Sequence, residues 1–211
     1  MKKFLRILPV FVFSILLFSC VDYVQNVGYK GGKYNLYYKI TLSKVLFELA
    51  DSNPEEIFKD FDKDALDELP KNVKVRQVNT DLEVGAEFSM QINPKTKEKS
   101  ELEFLPTVVG KKYYIPFLLG GESNGFADSL NLDDKDSQAM TQAILSSAKC
   151  RVMIEKNVIS NIDSAYFEGK GRQNYAIAVF DYGSAFCLEI PFVILFDTGM
   201  YNFEKIIVIQ G

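Results

Sequence analysis

Apolar residues dominate Ile7 to Phe18, and after them the chain alternates between hydrophobic and polar positions with two different periods. Tyr34, Leu36, Tyr38, Ile40 and Leu42 alternate with Asn35, Tyr37, Lys39 and Thr41, a period of two that predicts a strand with one buried face. Val21 to Val27 precede it across Gly28-Tyr29-Lys30-Gly31-Gly32-Lys33, so the pair reads as a hairpin. Leu42, Val45, Leu46, Leu49 and Ala50 then fall at helical spacing. Asn53-Pro54-Glu55-Glu56 opens a second helix with an N-cap, a first-turn proline and a capping-box glutamate, and Pro70 ends it. From Leu82 to Ile92 the alternation is unbroken, which predicts a half-buried antiparallel strand paired with Asn72–Asn79. Glu101–Leu105 and Lys111–Leu119 read as further strands, and Ala139, Met140, Ala143, Ile144 and Ser147 as the inner face of a third helix. Tyr175–Phe180, Phe186–Leu195 and Phe203–Ile209 are apolar on both faces and read as central strands. The expected fold is therefore α+β: an antiparallel sheet with about three short helices packed against it, in a single domain.

The opening residues carry a different message. Lys2, Lys3 and Arg6 precede an apolar run of about a dozen residues, the length of a secretory h-region and short of the roughly 20 needed to cross a bilayer. It stops at Leu17-Phe18-Ser19-Cys20, which resembles the lipobox of bacterial lipoproteins. Leu17 and Ser19 match that pattern, and Phe18 stands where a small or β-branched residue is more usual. The resemblance implies a signal peptide of residues 1–19, removed before Cys20, and a thioether-linked diacylglyceryl group on the cysteine. It also implies an acylated new amino terminus. A plain signal peptide and an uncleaved anchor are the competing readings. Two or more acyl chains anchor a protein stably, whereas one binds marginally. Residues 20–211 would then be a globular domain tethered in the bacterial cell envelope, at the inner membrane, the outer membrane or the cell surface. The hairpin starts directly after Cys20, so the domain would sit close to the lipid.

Composition narrows the chemistry. The chain is 47% hydrophobic with a net charge of −4, and losing Lys2, Lys3 and Arg6 takes the mature part to −7. No basic cluster stands out, so nucleic acid is a poor partner. Histidine is absent, which removes Ser-His-Asp and Cys-His catalysis and His-bearing zinc sites. Cys150 and Cys187 could pair as a disulfide in an exported protein, or remain two thiols acting as small hydrophobes.

No constellation stands out as catalytic or metal-binding. Asp60, Asp62 and Asp64 begin like a calcium loop, but Ala65 and Lys71 occupy the positions that need glycine and glutamate. Asn131-Leu-Asp133-Asp134-Lys-Asp136 reads as capping chemistry. Ser146-Ser147-Ala148-Lys149 has the S-x-x-K spacing of penicillin-binding serine enzymes without the companion K-T-G. Gly120 to Gly125 lacks the lysine of a phosphate loop, and the pairs Asp163/Glu168 and Asp181/Glu189 are two among many. Tyr29, Tyr34, Tyr37 and Tyr38 make the first hairpin aromatic and a candidate partner surface, and aromatics are also ordinary strand formers. The expectation is a non-catalytic lipoprotein without cofactor or metal. It would be held to the membrane through Cys20 and bind an envelope protein, or alternatively carry a lipid or other hydrophobic ligand in an apolar cavity.

Overall fold

The computed structural model describes residues 21–45, 70, 72–120, 148–171, 173–196 and 200–211. Gly31 and Gly32, at φ 63° and 78°, form a two-residue turn that only residues tolerant of positive φ make readily. That turn joins β1 (Val21–Lys30) to β2 (Lys33–Ser43) in uninterrupted antiparallel register, Val21 opposite Leu42 and Lys30 opposite Lys33. β3 (Lys74–Asn79) and β4 (Glu83–Ile92) extend the sheet on the far side of β2. In β4 the alternation holds as expected: Val84, Ala86, Phe88, Met90 and Ile92 are all buried.

The remaining strands are β5 (Thr107–Val109), β6 (Lys112–Pro116), β7 (Lys149–Glu155), β8 (Ile162–Gly169), β9 (Tyr175–Asp181), β10 (Ala185–Pro191) and β11 (Tyr201–Gln210). The described strands form one sheet in the order β3-β4-β2-β1-β7-β10-β9-β8-β11-β6-β5. Every pairing is antiparallel except that of β1 with β7.

The sheet turns a corner at β9. Tyr175, Ala176 and Ile177 pair with β8, and Ala178 to Asp181 pair with β10. A strand shared in this way folds one half of a sheet over the other, as in sandwich corners. β1 and β6, well apart in the strand order, consequently face each other. The Tyr23 ring lies 5.4 Å from that of Phe117, and Gln25 Nε2 donates to the Pro116 carbonyl at 2.7 Å. Phe117, Phe167 and Phe203 continue the aromatic seam between the layers.

This closure corrects the expected α+β class: the architecture is nearly all-β, with the short helix α1 (Lys99–Leu102), a helical start at Lys44 and Val45, and short 3-10 turns among the described residues. The physical reason is that the folded sheet covers its own apolar face, as sheet-on-sheet packing does. Of the three expected helices, the first starts later than expected, at Lys44 and Val45, because Leu42 and Ser43 finish β2, and residues 46–69 and 121–147 lie outside the described residues. Glu101–Leu105 is also not a strand; the Glu98 carbonyl accepts the amides of Glu101 and Leu102 and starts α1. β10 is buried on both faces and central, as expected, whereas β9 is mostly exposed because the corner leaves its outer face bare.

Candidate functional site

Cys20 lies outside the described residues, and Val21, the residue after it, is already the first residue of β1 and buried. β1 is an interior strand, hydrogen-bonded to β2 on one side and β7 on the other. Register then fixes the residues at this end of the sheet. β2 ends beside Val21, and the Lys44 amide donates to the Leu82 carbonyl just before β4. On the other side Lys149 of β7 stands opposite both Asp22 and Pro191, and the Phe192 amide donates to the Ala148 carbonyl.

A lattice of ion pairs begins just behind this end on the outer face. Lys39 reaches Glu83 at 3.2 Å and Asp22 at 3.5 Å, Arg151 reaches Asp22 at 3.4 Å, and Lys149 reaches Glu189 at 2.6 Å. Burial by itself would lower the Lys39 pKa, but the hydrogen bonds and charges of Glu83 and Asp22 outweigh it and raise it. The Thr41 hydroxyl, itself buried, donates to Glu83 at 2.8 Å. Farther along, Arg76 grips Glu87 with two bonds of 2.9 and 3.0 Å, which holds that carboxyl below its usual range.

The opposite end is built from turns. Tyr29 and Tyr34 pack edge to face at 5.0 Å beside the Gly31-Gly32 turn. Burial raises the Tyr34 pKa, with Tyr29 and Tyr113 adding to it, so the β5–β6 tip lies next to the β1–β2 tip. The two tips expose Lys30, Lys33, Lys111 and Lys112, none of them ion-paired among the described residues. Eighty residues of sequence separate the two lysine pairs, so no window along the chain reveals the cluster.

The four tyrosines of the first hairpin divide. Tyr29 and Tyr34 are half-buried at the tip, and Tyr37 is half-buried on the outer face, where burial and Glu87 raise its pKa. Tyr38 is not surface at all: it is 2% exposed, packs against Phe104, and has its pKa raised by burial. Of the two readings of Cys150 and Cys187, disulfide or buried thiols, the structure has the thiols. Cys150 stands opposite Ile190 and Cys187 opposite Met153, so the two thiols point to opposite faces of adjacent strands and are free. Burial raises both thiol pKa values, which keeps them protonated and unreactive at neutral pH.

A cleft of about 430 Å³ opens beside this end, lined by Asn26, Met153, Glu155, Asn157, Ser184 and Ala185. Asn157 donates to Glu155 at 2.8 Å and accepts the Tyr29 amide at 3.1 Å, while Asn26 Oδ1 is buried without a protein partner. Gly28 makes room for the Glu155 carboxylate, since a Cβ there would stand 2.6 Å from it. Four of these six lining residues are polar, whereas a hydrophobic carrier needs apolar walls.

Asp163 and Glu168 are exposed and five residues apart on β8, and Asp181 and Glu189 are each held by a lysine of their own. Lys149 of the S-x-x-K stretch lies on β7, while its serines, the 60–68 acidic run, the 131–136 run and 121–125 lie outside the described residues. Among the described residues no three His, Cys, Asp or Glu side chains converge as metal ligands. Comparison with protein-family models, with curated proteins and with solved structures finds no match.

Proposed function

We propose that the chain is a cell-envelope lipoprotein whose folded sheet is a non-catalytic binding module, tethered through acylated Cys20 and offering its far end to an envelope partner. The observation that carries this reading is the junction at Val21. A lipobox-like sequence ends at Cys20, and the next residue is the first of β1, an interior strand. A cleavage site one residue upstream leaves β1 whole, whereas an uncleaved leader would prolong a strand already pinned on both sides. With no linker, one end of the sheet faces the lipid and the lysine- and tyrosine-bearing tips face away from it. Aromatic rings flanked by cations that have no ion pair among the described residues are the composition of a contact surface more than of a solvated one.

Expression of the full chain with Cys20→Ser in a bacterial host tests the reading. Wild-type protein is expected in the membrane pellet and the variant in the soluble envelope fraction. Retention of the variant in the pellet would contradict the tether.

A further inference from the structure

Several apolar residues around the exit point of Cys20 are exposed. Leu82, before β4, is 75% exposed, Val45, after β2, 44%, and Val193, after β10, 38%. In the strand order β4-β2-β1-β7-β10, β1 is the centre, with β4 two strands to one side and β10 two strands to the other. Adjacent strands are about 4.8 Å apart, so Leu82 and Val193 flank the exit of Cys20 at roughly 10 Å on opposite sides. Across the interior Phe117 packs on Tyr23, which carries Leu118, 40% exposed, to the same end in the other layer.

We infer that this rim of Val45, Leu82, Leu118 and Val193 is a membrane-contact surface, inserted among the lipid headgroups around the anchor. The inference rests on the tether proposed above and adds an orientation to it. Consecutive Cα atoms are about 3.8 Å apart, so the sulfur of an acylated Cys20 cannot leave Val21 farther from the bilayer than the depth of its headgroup layer. The strand ends beside β1 are brought to that layer with it. Headgroup depth is where aliphatic side chains on an otherwise polar surface are stabilised. The acidic residues nearest the rim do not oppose this: Asp22, Glu83 and Glu189 are each neutralised by a lysine or arginine. Asp81, exposed next to Leu82, is followed across the turn by Lys44.

The chain has no tryptophan, so one introduced indole reports its own surroundings. Leu82→Trp and Val109→Trp replace exposed side chains at the tether end and the far end, and neither removes a core contact. Each full-length protein, processed by its host, is purified in detergent and reconstituted into phosphatidylethanolamine–phosphatidylglycerol vesicles, with or without bromine on the upper acyl carbons. In plain vesicles Leu82→Trp is expected to emit to the blue of Val109→Trp, and brominated lipid is expected to remove most of the Leu82→Trp emission and to leave Val109→Trp unchanged. Equal emission of Leu82→Trp in both vesicles, with the protein still vesicle-bound, would overturn the rim while leaving the tether standing. Loss of Val109→Trp emission as well would overturn the orientation. Failure of the tether itself is separate, because it shows as Cys20→Ser remaining in the membrane fraction.

Discussion

The two ends of the folded sheet are made of the same elements, strand tips and tight turns, yet they expose different chemistry. Around the exit of Cys20 the tips carry Val45, Leu82, Leu118 and Val193, and Asp22, Glu83 and Glu189 behind them are each tied to a lysine or arginine. At the other end Lys30, Lys33, Lys111 and Lys112 have no ion pair among the described residues and stand near half-buried tyrosines, with Val108 and Val109 also exposed there. The difference matches a molecule with one side against lipid and one side toward a partner.

Backbone packing separates the ends most sharply. At Gly85, near the tether end, an added Cβ would collide with the Ile40 carbonyl oxygen and stand 2.7 Å from Thr41 Cα. Gly85→Ala is therefore expected to cost about 3 kcal/mol or more, as substitutions that force backbone apart do. Gly31, at the far tip, has open space around it and only the strain of φ 63°, so Gly31→Ala should cost about 1–2 kcal/mol. Urea midpoints of the two variants measure the contrast, and equal losses would break it.

Midway between the ends, Gln25 stitches the layers by donating to Pro116 and accepting the Tyr23 hydroxyl at 3.0 Å. Gln25→Leu leaves that hydroxyl without its acceptor in a fully buried site, at an expected cost of about 1–3 kcal/mol. Tyr23→Phe in the same background should recover part of it, because both partners are then apolar.

The response to pH should be asymmetric. Burial raises the Tyr23 and Tyr38 pKa values above those of the unfolded chain. Their contribution is thus complete below the ordinary tyrosine range near pH 10 and is lost as pH rises above it. Glu87 is shifted the other way by Arg76, so its contribution is present above the ordinary carboxylate range and fades as pH falls through its lowered value. That acid effect should be at most about 1 kcal/mol, because Arg76 is well exposed. With no histidine, stability should be flat from about pH 6 to 8. Thermal unfolding across pH 3–11 checks all three parts, and Tyr38→Phe should soften the alkaline limb.

The smallest expected change in stability belongs to the far end. Converting Lys30, Lys33, Lys111 and Lys112 to Glu should shift stability by within about 0.5 kcal/mol per site, since none is ion-paired among the described residues. The same change should weaken crosslinking of envelope partners to this end. Undiminished crosslinking would move the contact surface elsewhere.

Local pattern made some of this readable in advance. The period-two runs of β2 and β4 placed Leu36, Phe88 and Ile92 inside, and the double glycine marked the first turn. The same period puts Tyr38 on the face of Leu36, so its burial was legible where its membership of an aromatic cluster was misleading. Leu82 looks like the first inward residue of the β4 alternation, but strand pairing starts at Glu83 and leaves it in the turn. Closure of the sheet depends on β9 dividing its hydrogen bonds between two partners, a long-range register with no local signature. The α+β class followed instead from helical spacing and capping signals in segments that, apart from the first residues of the first, lie outside the described residues. The lysine cluster was hidden for a similar reason, because its members meet only when distant hairpins are stacked.

The central claim is that Cys20 is the membrane anchor of a sheet that begins one residue later. It is tested most directly by mass spectrometry of the amino-terminal peptide of protein extracted from membranes. The account predicts a peptide that starts at Cys20 and carries a diacylglyceryl group. A peptide that retains residues before Cys20, or one that contains Cys20 as a free thiol, would contradict it.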